Sequence, residues 1–142
     1  MRAATDLHAN GGVRVHIDGD RSIVSARQRG RALALGLGFT KGGATFVVTA
    51  ISELARNILL YASEGEIELH PVERTGKEGL EIIARDRGPG IESVRRALED
   101  GYSTSGRPGL GLPGVQRLMD EFQVVSAGEN GTEIRVVKWK RP

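Results

Sequence analysis

The sequence predicts an α+β protein of two layers, with a mixed sheet covered on one face by helices. Three observations carry this. Two helical patterns follow one another without a strand between them, in residues 20–62. Segments of apolar–polar alternation come in pairs joined by short polar turns. The regular strand–helix–strand alternation of a dinucleotide-binding fold is missing. At 142 residues the chain is near the commonest size of one domain, so a single core is expected.

Residues 1–11 read as a disordered start, leaving a single domain over residues 12–142. VRVHID (Val13–Asp18) alternates apolar and polar residues, the period of a half-buried strand. Asp20 can cap a helix through IVSARQRGRALALGLG, whose inner face holds Ile23, Ala26, Gly30, Leu33 and Leu37. Gly36 and Gly38 stop it. Thr40 suits the cap of a longer helix through FVVTAISELARNILLYAS, with Val47, Ile51, Leu54 and Ile58 as its buried stripe. Glu66–Val72 and Leu80–Asp86 read as a hairpin joined by the polar turn ERTGKEG. After DRGPGI come a short helical piece, ESVRRALEDG, a Gly/Pro-rich loop, and a helix around Val115–Glu121. FQVVSA, the turn GENG and TEIRVVKWK close the chain as a second hairpin. The order is therefore β-α-α-β-β-α-loop-α-β-β, with no internal repeat.

Composition excludes several function classes. Hydrophobic residues are 39% and charged residues 27%, as in a globular protein. The formal charge of +2 and 4% aromatic content give little footing for nucleic acid. No cysteine is present, which removes disulfides, thiolate metal sites and a cysteine nucleophile and fits a reducing cytoplasm. There is no run of 18 apolar residues and no apolar segment behind the N-terminal basic residue, so neither a membrane span nor a signal peptide is expected. His8, His16 and His70 show no metal-ligand spacing. Glycine, at 20 of 142 residues, is about twice its usual share and is clustered.

Four short stretches carry possible chemistry. In SELARNILL, Glu53 and Asn57 sit four apart and so share one helix face, with Arg56 alongside. That is either a solvated polar face or a site, in which Asn57 offers a neutral oxygen to Mg²⁺ and Glu53 takes a proton from an attacking hydroxyl or water. DRGPGI is either a turn or a strand end at which Asp86 accepts from an exocyclic amine such as that of adenine, while Gly88 and Gly90 admit close backbone approach. GRPGLGLPG (Gly106–Gly114) is either a linker or a phosphate cradle ending at a helix start, with Pro113 suited to the first turn. It is neither a Walker loop nor a dinucleotide fingerprint. In GTE, Thr132 is a strand residue that can also face a ligand.

Taken in order, ELARN, DRGPGI, GLGL and GT resemble the N, G1, G2 and G3 boxes of the GHKL ATPase/kinase superfamily, over nearly the whole of residues 12–140. AISELARNILLYA, EDGYSTSG and GLPGVQRLMDEF look closest to the RsbT-type serine/threonine kinases of the stressosome, related to anti-sigma-factor kinases. The resemblance implies the Bergerat two-layer α/β sandwich, with ATP and Mg²⁺ as cofactors. It implies Asn57 as Mg²⁺ ligand, Glu53 as general base, and Asp86 as reader of the adenine amine with help from Thr132. Gly88 and Gly90 would shape the adenine pocket. A lid from about Gly101 to Leu112 would bring Ser103, Thr104, Gly109, Leu110, Gly111 and Leu112 near the phosphates. Arg107 and Pro108 depart from the small residues of relatives, stiffening the loop and adding a charge. The implied acceptor is a serine or threonine on a STAS-domain scaffold protein in trans, within a cytoplasmic stress-response partner-switching module. The implied second role is activation of a PP2C-type phosphatase after release. Two other classes stay open: an ATPase module in which Glu53 activates water, and a nucleotide-binding protein that sequesters a regulator.

Overall fold

The computed structural model describes residues 5–7, 12–88, 95, 98, 111–128 and 131–141. Its elements are β1 (Thr5–Leu7), β2 (Val13–Ile17), α1 (Asp20–Gly36), α2 (Lys41–Ala62), β3 (Gly65–Arg74), β4 (Lys77–Asp86), α3 (Gly111–Leu118), β5 (Glu121–Gly128) and β6 (Gly131–Trp139). From residue 12 onward the expected element order holds wherever residues are described. Arg95 and Leu98, from the expected short helix, are helical.

One sheet runs β1-β2-β3-β4-β6-β5. Every described neighbour pair is antiparallel, which corrects the expectation of a mixed sheet. The cause lies in the helix pair. A single crossover helix returns the chain to the starting end of its strand and makes the next strand parallel. Two consecutive helices bring it back to the finishing end, so β3 runs down beside β2. Between β4 and β5 the chain skips one position, and β6 fills the gap running the other way.

Alternation decides the two faces. Val15 and Ile17 of β2, Ile67 and Leu69 of β3, Leu80 and Ile82 of β4 and Val136 of β6 are all fully buried on one face. Against that face α2 lays Val47, Ile51, Leu54 and Ile58, each no more than 1% exposed. The 3–4 spacing of these residues was the helix signal, and it is also the packing surface. By length and composition α2 could cross a membrane, but half of its apolar stretch is buried within the domain, and it serves here as the core helix. α1 packs Ile23, Ala26, Gly30 and Ala34 inward, with Leu33 and Leu37 partly buried beside them.

Several boundaries differ from expectation. Asp20 is the first residue of α1, not its cap: Gly19 takes that place, and Ser22 Oγ accepts from the amides of Asp18 and Gly19. Thr40 does cap α2, its Oγ1 accepting from Gly43 N at 3.0 Å. The first hairpin is longer than predicted, with only Thr75 and Gly76 at its tip, at φ 49 and 81. Charged residues extend both strands past the core, and a two-residue turn with both φ positive matches the strand twist. α3 starts at Gly111 rather than near Val115, and Glu121 already belongs to β5. Thr5–Leu7, expected to be disordered, add an edge strand to β2.

Candidate functional site

The site lies along the second half of α2 and the adjoining ends of β4, β6 and α3. Four residues of helix rise about 6 Å, so Glu53 and Asn57 stand one turn apart on a face turned away from the buried Leu54 and Ile58. The Glu53 side chain is 13% exposed and both of its oxygens are engaged. Gly111 N donates to Oε1 at 3.0 Å, and Arg56 Nη1 donates to Oε2 at 2.7 Å. The first contact has a clear cause. The opening amides of a helix lack internal partners, and α3 has no acidic residue in its own first turn. Glu53 supplies that charge from the neighbouring helix. Each oxygen keeps a second lone pair, so a substrate hydroxyl can still donate to the carboxylate. Asn57 is half-buried, and its side chain has no hydrogen-bond partner among the described residues.

Asp86 ends β4, paired with Gly65 of β3 on one side and Thr132 of β6 on the other. By strand alternation Asp86 and Thr132 share the helix-covered face. Gly88 N donates to Asp86 Oδ1 at 2.8 Å, and the Thr132 amide also donates to the carboxylate. Burial pushes the Asp86 pKa above its ordinary value, and these two amides only partly offset it. Thr132 is 5% exposed, and its hydroxyl is buried with no hydrogen-bond partner. An unmade bond at a buried hydroxyl costs about 1–3 kcal/mol, so such a group marks where a ligand or water belongs. An exocyclic amine offered to Asp86, with a polar group or water on Thr132, fits this pair.

Two glycines set the local geometry. A Cβ on Gly88 would stand 2.7 Å from Ala62 Cβ and 2.9 Å from Tyr61 O, so the chain after Asp86 presses on the last turn of α2. Glycine is thus required there by the protein's own packing. Gly131 has φ +117, and a Cβ there would meet Asp86 O at 1.9 Å.

Glu53, Asn57, Asp86, Gly88 and Thr132 are therefore brought to one region, and Gly111 joins them. Two assignments change. Leu112 is 1% exposed and packed in the core, so its side chain is not a ligand contact. The Gly111 amide is spent on Glu53 and does not stand open to a phosphate. Gly90, Ser103, Thr104, Gly109, Leu110, Arg107 and Pro108 lie outside the described residues. Sequence reasoning missed Gly131, whose signal was a glycine immediately before Thr132. The Arg56–Glu53 pair was readable from its three-residue spacing. Among the described residues no three acidic or histidine side chains cluster as a metal cage. A hard cation held by the Asn57 oxygen and by substrate phosphates suits such a donor set.

Residues 20–138 match the family described as histidine kinase-like ATPase domain. The serine/threonine-protein kinase RsbT of Bacillus subtilis is 54% identical over 127 residues, covering 89% of this chain and 96% of that protein. The anti-sigma F factor of Caldanaerobacter subterraneus is 32% identical over 99 residues, covering 66% of this chain and 68% of that protein. The crystal structure of the RsbU and RsbW domains of a Mycobacterium tuberculosis protein shares the fold, with a TM-score of 0.57 at 21% identity; it covers 91% of this chain and 33% of that one. A sheet with Asp86 and Thr132 at one end and Glu53 and Asn57 on the covering helix thus accompanies a match over most of the length, and the chain belongs to the histidine kinase-like ATPase domain family and, within it, to the RsbT-type serine/threonine-protein kinases.

Proposed function

We propose that residues 12–142 form a single ATP-binding kinase domain that phosphorylates a serine or threonine of a STAS-domain protein in trans. In this reading the chain works in the cytoplasm as part of a partner-switching stress response, and after release from its scaffold it activates a PP2C-type phosphatase. The observation that carries the nucleotide reading is the Asp86–Thr132 pair. It combines a partly buried carboxylate with an unpartnered buried hydroxyl at the sheet end beside α2. Identity of 54% with a serine/threonine-protein kinase supports the reaction class.

Phosphoryl transfer asks a protein mainly for positioning and for neutralisation of charge on the transferred group. Asp86 and Thr132 hold the base end of ATP, and Asn57 holds Mg²⁺, which when bound neutralises phosphate charge. Glu53 accepts a hydrogen bond from the acceptor's hydroxyl on a free lone pair and takes its proton. The hydroxyl oxygen forms a bond to the γ-phosphorus, the bond to the β–γ bridging oxygen breaks, and ADP leaves with that electron pair.

The test is one incubation with labelled ATP and Mg²⁺, with and without a STAS-domain protein. Label on the STAS protein is expected. Free phosphate alone would instead identify an ATPase, and label in neither place a binding protein. Glu53→Gln is expected to keep ATP binding and lose about 10²–10⁴-fold in transfer; unchanged turnover would remove Glu53 from the base role. Asn57→Ala is expected to lose Mg²⁺-dependent nucleotide affinity in calorimetry, and wild-type binding would refute its role as ligand.

A further inference from the structure

We propose that a cleft at the opposite end of the domain docks an acidic segment of a partner protein through one apolar anchor side chain. The cleft is a cavity of about 210 Å³ between the start of α2 and the end of β6. Thr132 and Lys138 lie six residues apart on β6, so roughly 20 Å separates it from the nucleotide end. Nothing in the phosphoryl-transfer reading uses it.

Its walls are unusual for this chain. Aromatics are only 4% of the residues, yet two of the three phenylalanines and the single tryptophan line this one cavity. Phe39, 6% exposed, and Trp139, 5% exposed, line it, the Trp139 ring itself lying against Arg74 and Lys77. Phe46 stands at its rim, 43% exposed, although it lies on the core helix. A large aromatic left half in water beside a concave apolar wall is the arrangement that anchors protein contacts. Size selects the kind of occupant. Small-molecule sites run to about 300–1,000 Å³, so this volume suits one side chain and not a cofactor.

Charge selects the flanks. Lys138 and Arg141 line the cavity, and Lys41 opens α2 next to it. Asp120 is the carboxylate that balances them, 2.7 Å from Arg141 Nη2 and 3.9 Å from Lys138 Nζ. Lys138 is buried, 8% exposed, with its Nζ donating to Leu118 O at 2.8 Å and lying 4.8 Å from the Phe46 ring centroid, so it backs the rim aromatic from inside. Lys41 is exposed and has no ion-pair partner among the described residues, and α2 has no acidic residue in its first turn. Lys41 and Arg141 at the surface, with the buried Lys138 behind them and one carboxylate beside them, repel a basic segment and attract an acidic one.

Trp139 makes the test direct, because the chain has no other tryptophan. The full chain, without nucleotide, is titrated with the capped hexapeptide Glu-Glu-Leu-Phe-Glu-Glu while Trp139 emission and backbone amide shifts are followed. The matched peptide with lysine for glutamate is the control. A saturable change with the acidic peptide is expected, with shifts at Phe39, Gly43, Phe46 and Trp139, and it is expected to weaken as salt shortens the screening length. Phe46→Ala, at an exposed position that leaves the core intact, is expected to weaken binding about tenfold. The proposal is overturned by equal binding of the basic peptide, by shifts confined to residues 53–57 and 86–88, or by no saturable change. A dimer of this chain that Phe46→Ala dissociates would overturn it as well, by assigning the cleft to a second copy. None of these outcomes depends on whether the protein transfers phosphate.

Discussion

Asp86, the proposed reader of the adenine amine, shows how a site residue sets stability against function. Burial raises its pKa above 3.8, and the amides of Gly88 and Thr132 pull it back only in part. A carboxyl whose folded pKa lies above its unfolded one stabilises the fold fully below the unfolded value, and loses that contribution as pH rises through the folded value. At neutral pH the ionised Asp86 therefore costs the empty protein stability. Asp86→Asn is expected to leave the melting temperature at pH 7 unchanged or raised. The same change removes the charge from the bond to the adenine amine, worth about 1.5–3 kcal/mol, or roughly 10–150-fold in ATP affinity. Calorimetry with ATP·Mg²⁺ and a thermal melt check the two halves separately; a lower melting temperature with unchanged affinity would make Asp86 structural. Asp86 and Thr132 were singled out only because ELARN, DRGPGI, GLGL and GT resemble the family boxes in order; each alone reads equally as a turn or strand residue. The reason for Gly88 was not, because it depends on Tyr61 and Ala62, far away in sequence.

At the scale of elements, the open face of the sheet is held by a ladder of opposite charges across four strands. Arg85 of β4 donates to Glu66 and Glu68 on β3 and to Glu133 on β6. Arg14 of β2 faces Glu66 at 3.4 Å, and His70 Nε2 meets the other Glu68 oxygen. Burial works to raise the Glu68 pKa, but the hydrogen bonds from Arg85 and His70 outweigh it and hold the carboxyl below its ordinary 4.5. A depressed folded pKa gives stability that is present above pH 4.5 and lost as pH falls through the folded value. Glu68→Gln is expected to cost about 1–3 kcal/mol at neutral pH, since Arg85 keeps two other carboxylates, and to flatten the fall in stability below pH 4.5. Urea melts of both proteins from pH 3 to 7 measure this, and parallel pH profiles would refute it. This ladder was invisible as a list of charges because it exists only in the register that aligns Glu68 with Ile83 and Glu66 with Arg85. Element order and the buried stripe of α2 were legible, since each repeats within one segment. The antiparallel run of the whole sheet was not. It depends on which strands become neighbours, and the start of α3 depends on Glu53, 58 residues earlier.

Across the whole molecule, that last contact joins catalysis to architecture. Glu53 is the expected base, yet in this conformation it also anchors the first turn of α3, the element that follows the glycine-rich loop. One side chain thus combines the proposed proton-accepting role with a capping contact, and two substitutions separate them. Gln keeps an oxygen for the Gly111 amide but has no carboxylate to take a proton. Ala removes both functions. Loss of a cap costs about 1–2 kcal/mol, which for a domain of this size lowers the melting temperature by about 3–6 °C. Ligand adds stability in the other direction: at about 100 times Kd, ATP·Mg²⁺ contributes about 2.7 kcal/mol and raises the melting temperature by about 8 °C. The empty Glu53→Gln protein is therefore expected to melt with wild type and to show the full ATP shift while losing about 10²–10⁴-fold in phosphate transfer. The empty Glu53→Ala protein is expected to melt about 3–6 °C lower, because α3 has lost its only acidic partner from α2. Scanning calorimetry of the three proteins with and without ATP·Mg²⁺ decides it. Equal melting of the Ala and Gln proteins would show that the bond to Gly111 carries no stability, leaving Glu53 free to serve the reaction alone.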